Sequence, residues 1–91
     1  MNKRELVDKV AAKTDMGKGK VGDAVDAVFN EIAGALKDGE RVQLTGFGTF
    51  EVRERKARQA RNPQTGESIQ VPASRAPAFK AGKSLKDSIN T

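Results

Sequence analysis

Five cationic side chains, Arg53, Arg55, Lys56, Arg58 and Arg61, fall within nine consecutive residues, and all but one are arginine. A guanidinium presents a planar fork of donors that suits phosphate oxygens and narrow minor grooves better than solubility alone requires. Charge runs are commonly plain solvated surface, but this concentration of arginine favours an anion-binding segment. Read as an extended strand, it turns Arg53, Arg55 and Arg61 to one side and Lys56 and Arg58 to the other. Neither side is apolar, so the strand is not expected to lie on a core. At about 3.3 Å per residue the run would project roughly 25 to 30 Å, as a cationic ribbon suited to a grooved polyanion such as DNA.

The segment runs into Asn62-Pro63-Gln64-Thr65-Gly66, where Pro63 sets its own backbone angle and Gly66 is free to take a positive one. As a turn residue Pro63 needs no further role. An apolar ring at the tip of a cationic arm is nevertheless placed to wedge between base pairs, where the extra surface contacted on a bent duplex offsets the cost of unstacking.

Catalysis has little to work with. The chain contains no cysteine and no histidine, which removes disulfides, thiol and imidazole chemistry and the usual zinc sites. Glu51 and Glu54 fall on opposite faces of a strand, and Asp23 and Asp26 read as solvent-facing helix residues, so neither pair is expected to act as an acid/base or metal pair. Gly82-Lys83-Ser84 imitates the end of a phosphate-binding loop, but Pro77 stands where that loop needs its first glycine. Lys18-Gly19-Lys20 fails the same test, and Gly46-Phe47-Gly48 lacks the third glycine of a dinucleotide fingerprint. All three glycine signals read as turns, and neither an enzyme nor a cofactor is expected.

The elements that would position the arm follow from pattern and charge. Of the net charge of +5, the excess lies C-terminally: residues 53–86 hold nine basic side chains against Glu54 and Glu67, whereas residues 1–52 hold eight basic against nine acidic. Asn2 with Glu5 offers a helix cap, and Leu6, Val7, Val10 and Ala11 recur at helical spacing to about Thr14. After a corner at Asp15-Met16-Gly17-Lys18-Gly19, the residues Val21, Ala24, Val25, Val28, Phe29, Ile32 and Leu36 form a long apolar stripe that Gly39 closes. Two helices joined by a corner share the outline of a helix-turn-helix, but Asp23, Asp26 and Glu31 on the second would repel phosphates, so the stripe reads as core or partner surface.

Arg41 to Leu44 predicts a short strand, Thr45 to Gly48 a turn, and Thr49 to Val52 a strand with Phe50 and Val52 inward. Ser68 to Ala73 returns from the arm; Pro72, lacking an amide donor, fits an open-edged ribbon rather than a central strand. An isolated hairpin is marginal in water, so the arm is expected to be mobile until something binds it. Beyond Pro77, Phe79 is expected to return to the core and Lys83 to Ile89 to form a terminal helix. A chain of 91 residues with four Phe and no Trp or Tyr buries little alone, which predicts a core completed by a second copy. Charged opening residues and the lack of a long apolar stretch predict a cytosolic protein with no membrane partner.

Gly46-Phe47-Gly48-Thr49-Phe50-Glu51-Val52, the run Arg53 to Arg61, and Asn62-Pro63-Gln64-Thr65-Gly66 together resemble the bacterial HU and integration host factor family. The opening Met1-Asn2-Lys3-Arg4-Glu5-Leu6-Val7 and the ending Pro77-Ala78-Phe79-Lys80-Ala81-Gly82-Lys83 are similar to it as well, so the resemblance covers essentially the whole chain. It implies an α+β fold as an intertwined dimer: an N-terminal helical pair, a three-stranded antiparallel sheet extended into a β-ribbon arm, and a short C-terminal helix. Residues 1–91 would be one domain, with 1–52 mainly the dimerisation body, 53–76 the arm and 77–91 the core return and terminal helix.

By the same resemblance Arg55, Arg58 and Arg61 would lie along a minor groove, with Asn62 and Pro63 at the tip and Pro63 as the wedge. Lys3, Arg53, Lys56, Arg75, Lys80, Lys83 and Lys86 would engage phosphates, and Val28, Phe29, Ile32, Leu44, Phe47, Phe50 and Phe79 would form the shared core. The implied function is non-sequence-specific bending, wrapping and compaction of the bacterial chromosome in the nucleoid by a homodimer that prefers bent or nicked duplex DNA. Two alternatives stand beside it, a sequence-specific bender like integration host factor and an RNA-binding protein, the latter disfavoured because the Phe residues fit core positions rather than stacking platforms. One departure is visible. Gly17 and Gly19 sit where the family begins its second helix with better helix formers, so that helix is expected to start late or fray, each glycine costing up to about 1 kcal/mol against alanine.

Overall fold

The computed structural model describes all of residues 1–91 and shows an α+β chain. It falls into two compact units, Met1–Gly34 and Ala35–Thr91. Helix α1 spans Lys3–Thr14, and its start is fixed by the Asn2 side chain, which accepts a hydrogen bond from the Glu5 amide at 2.9 Å. That bond satisfies one of the helix's orphan amides, as a cap must. The helix stops at Asp15, whose left-handed φ of 56° is tolerated by a short polar side chain.

Helix α2 spans Lys18–Lys37, so the corner ends at Gly17 and Gly19 lies within the first turn rather than in a turn before it. The expected late start does not occur, because the first-turn amides have no intrahelical partner in any case and the apolar stripe begins at Val21. In the N-terminal unit Ala11 and Val21 are the only buried side chains, while Leu6, Val7, Val10 and Val25 are half-buried. Lys3 pairs with Asp26, and Lys18 with Asp8 at 3.4 Å. An open cleft of about 320 Å³ lies between the helices, lined by Leu6, Val10, Met16, Val25, Val28 and Phe29 among others.

The C-terminal unit opens on the last turn of α2. Gly39, with φ +82°, donates to Leu36 O and the Glu40 amide to Ala35 O, the paired bonds of a Schellman ending. Strand β1 (Val42–Leu44), one residue shorter than expected, pairs with β2 (Gly48–Arg55), which pairs in turn with β5 (Ser74–Ala81); all are antiparallel, in the order β1-β2-β5. A separate ribbon pairs β3 (Arg58–Arg61) with β4 (Ser68–Val71), and α3 spans Lys83–Ile89. Gly46 provides the left-handed turn between β1 and β2, whereas Gly48 belongs to a strand and Gly82 precedes α3, so only the first of these glycines is a turn residue.

The expected single strand from Arg53 to Arg61 is interrupted. Arg55↔Ser74 is the last pair of the body sheet and Arg58↔Val71 the first of the ribbon, leaving Lys56 and Ala57 opposite Pro72 and Ala73. No residue is inserted on either side, so the pairing register of the body sheet carries on into the ribbon across the gap. Pro72 is the physical cause: it has no amide to donate, and the ladder opens where it stands rather than passing through it.

Candidate nucleic-acid interface

Because paired residues share a face, the register sorts the body sheet completely. One face collects Val42, Leu44, Phe50, Val52, Pro77, Phe79 and Ala81. Phe79 packs against Phe50 at 4.9 Å and against Phe47 at 5.4 Å between ring centroids, and Phe50 and Val52 are half-buried as expected, but Phe79 itself stays 41% exposed and so does not return to a core within the single chain.

The opposite face holds Arg53, Arg55 and Lys80, each directly across from a small residue: Ala76, Ser74 and Thr49 in turn. With no long side chain directly across the strands from them, and Glu51 beside Arg53 as the acidic group of this face, these cations stand on a surface a polyanion can approach closely. The alternation Ser74-x-Ala76-x-Ala78 is the signal that would have found this surface in the sequence, and reading the charges alone missed it.

In the ribbon, Arg58 shares a face with Ala60, Ile69 and Val71, and Arg61 shares the other with Gln59, Gln70 and Ser68. The two arginines therefore point to opposite sides, as alternation requires. The ribbon is not polar all round, however. Ile69 and Val71 come from the returning strand and place a small apolar patch beside Arg58.

At the tip, the Asn62 side chain accepts from the Gln64 amide at 2.9 Å, the Gly66 amide donates to Asn62 O at 2.7 Å, and the Asn62 amide donates to Glu67 O at 2.8 Å. These bonds use the Asn62 side chain to build the loop and hold Pro63 exposed at its end, with Gly66 at φ +72° as expected.

The remaining cations are distributed differently. Lys56 is exposed in the gap, and Lys83 and Lys86 are exposed on α3. Lys83 holds Asp87 at 2.8 Å, Arg53 holds Glu51 at 3.3 Å, and Lys3 belongs to the N-terminal unit, where it holds Asp26. Exposed pairs of this kind contribute about 0–1 kcal/mol, so a phosphate can displace the carboxylate. Arg75 is the exception. It pairs with Glu54 on the apolar side of the sheet, and its guanidinium donates to Leu36 O at 3.3 Å and Lys37 O at 3.4 Å.

The carboxylates considered for catalysis do not converge. Glu51 and Glu54 occupy opposite faces, Asp26 is engaged by Lys3, and no three acidic residues come together as a metal site would need.

Residues 1–90 match the family described as "Bacterial DNA-binding protein". The chain belongs to that family. It is 59% identical to DNA-binding protein HU-1 of Halalkalibacterium halodurans over 99% of this chain and 100% of the relative, and 60% identical to DNA-binding protein HU of Staphylococcus aureus over 98% and 99%. Among solved structures, a cocrystal of Anabaena HU with DNA superposes with a TM-score of 0.90 at 47% identity, covering 98% of this chain and 97% of that one. HU from Thermotoga maritima follows the same fold at a TM-score of 0.70 and 35% identity, covering 98% of both chains. Its relatives make this a family of DNA-binding proteins rather than of enzymes, and no helix of the chain is long and apolar enough to cross a membrane.

Proposed function

We propose that this protein is an architectural DNA-binding protein that bends and compacts the bacterial chromosome as a homodimer, with little dependence on sequence. The observation that carries this reading is the run of cations from body to tip: Arg53, Arg55 and Lys80 over small residues on one face of the body sheet, then Arg58 and Arg61 on opposite faces of a ribbon that ends in an exposed Pro63. Phosphate neutralisation supplies affinity without base readout, and a proline inserted at a base step kinks the duplex toward the body. HU and integration host factor are standing examples of that strategy. Lys3, Lys83 and Lys86 add phosphate contacts from the body and Lys56 from the root of the arm, Asn62 shapes the tip, and the protein works on the nucleoid in the cytoplasm. Residues 1–91 act as one functional domain in this reading, with the body dimerising and the arm binding.

The dimer rests on exposure. In the single chain Val28, Phe29, Phe47 and Phe79 are 54%, 46%, 48% and 41% exposed and Leu44 is exposed as well, while Ile32 and Phe50 are only half-buried. A chain with two buried apolar side chains has no core large enough to fold alone, and a second copy covering these residues supplies one. Sedimentation equilibrium is expected to give twice the chain mass of 9.8 kDa, and the melting midpoint is expected to rise with protein concentration. A folded monomer with a concentration-independent midpoint would rule the dimer out.

The experiment that tests the function is a salt series of binding to random-sequence linear, nicked and pre-bent duplexes, with structured RNA alongside. Steep salt dependence and preference for nicked or bent DNA are expected. Strong preference for one intact sequence would point instead to a specific bender, and tighter binding to RNA to the other alternative. Pro63→Ala is expected to abolish most of the bend while lowering affinity only a few-fold, because the arm's phosphate contacts survive. Equal losses of bend and affinity would mean that Pro63 is only a turn residue.

A further inference from the structure

Arg75 was expected among the phosphate-binding cations, and its position in the fold argues for a different task. It lies on β5, one pair to the body side of the ladder gap: Glu54↔Arg75 and Arg55↔Ser74 are the last body pairs before Lys56, Ala57, Pro72 and Ala73. It is on the opposite face from Arg53, Arg55 and Lys80. Its guanidinium spans Leu36 O and Lys37 O, and a side-chain carbon placed at Gly39 would stand 3.6 Å from its Nη2, so the group lies over the closing turn of α2.

Those carbonyls are among the last of the helix, where no intrahelical donor remains and the helix dipole favours a cation. The Schellman bonds satisfy Ala35 O and supply one bond to Leu36 O, which leaves Lys37 O to Arg75. The planar fork of an arginine can reach both oxygens at once, which a lysine ammonium cannot do with the same fixed geometry.

We infer that Arg75 is a positioning residue for DNA bending, an anchor that ties the root of the arm to the C-terminal end of α2. The inference rests on the bending function proposed above. Bending a duplex requires the protein to bear the elastic and unstacking cost of the DNA, and that load reaches the body through the arm root. Beyond the root the ladder is open at Pro72, so the load falls on the last body pairs and on whatever braces them. The bond from β5 to α2 is such a brace, made to a second rigid element rather than to the sheet itself.

Arg75→Gln and Arg75→Lys separate this task from phosphate binding when two quantities are read for each: the slope of log affinity against log salt, and the bend at saturating protein by energy transfer between the duplex ends. Thermal melts confirm that both variants fold, and wild type and Arg55→Gln serve as references. The expected result is that Arg75→Gln keeps the wild-type slope, whereas Arg55→Gln, which removes one cation from each subunit, lowers it by about 1.8. Both Arg75 variants lose part of the bend although every duplex is occupied. If Arg75→Gln lowers the slope by about 1.8 and Arg75→Lys restores it with the bend intact, Arg75 is a phosphate contact and the anchor is overturned. Unchanged slope and unchanged bend overturn it equally. Failure of the wild type to bend DNA would take down the functional reading and the anchor with it, an outcome distinct from a wild type that bends and variants that bend as well.

Discussion

Replacing Arg55, Arg58 and Arg61 together by glutamine removes six cations from the dimer and is expected to reduce the log–log salt slope of duplex binding by about 5.4, and affinity near 0.1 M salt by roughly five orders of magnitude. The size of the effect follows from how these arginines are held. None of them is paired with a carboxylate, unlike Lys3, Arg53 and Lys83, so each carries its full charge to a phosphate without first giving up a partner. Arg55 stands opposite Ser74 on the open face of the body sheet, and Arg58 and Arg61 project from opposite faces of the ribbon. A ribbon lying in a groove meets a phosphate wall on each side, and this arrangement gives it a cation for both. All three side chains are exposed, so the melting midpoint should hardly change. A slope that falls by less than about 1 would mean that the arm does not lie along the backbone at all.

Local chemistry was enough to read many elements from the sequence. Asn2 caps α1, Gly39 closes α2, Gly66 takes its positive angle, and α3 runs from Lys83 to Ile89 as the pattern predicts. Each of these depends on residues within a few positions of one another. What the sequence concealed depends on pairing across the chain. Pro72 was legible as a residue unsuited to a central strand, but only its position opposite Ala57 shows that it opens the ladder and separates ribbon from body.

The same holds for the candidate site. Counting charges found Arg53, Arg55 and Lys80, yet only the register shows Ala76, Ser74 and Thr49 across from them, clearing the surface. Arg75 looked like one more cation in a basic segment. Its partners lie 38 and 39 residues away, at the end of a helix, and no local pattern announces a bond of that kind. Gly19 was misread for the opposite reason: a local rule, that glycine breaks helices, was applied at a first turn where it carries little weight.

Gly48 presents a larger consequence of long-range pairing. It sits in the central strand, paired with Leu44 on one side and Ala81 on the other, and it is buried. A methyl group there would stand 2.5 Å from Phe79 Cζ and 2.7 Å from the Lys80 carbonyl oxygen. The ring could withdraw only by breaking its stacking on Phe47 and Phe50, and the carbonyl belongs to the paired strand and cannot withdraw without bending the ladder. Overpacking of this kind costs about 1–3 kcal/mol, and the disturbed aromatic pairs add about 1 kcal/mol. Gly48→Ala is therefore expected to lower the melting midpoint by roughly 10–20 °C. Because Phe47 and Phe79 are also among the residues a second copy would cover, the variant should dissociate at higher concentration than wild type. Gly34→Ala is the contrasting substitution, since a methyl there meets nothing within 4 Å and lies inside α2, where alanine is favoured over glycine by up to about 1 kcal/mol. The same change of one hydrogen to a methyl should thus lower stability at one glycine and raise it at the other. A Gly48→Ala melt within a few degrees of wild type would show that the ring cluster is loosely packed and that Gly48 is required for something other than room.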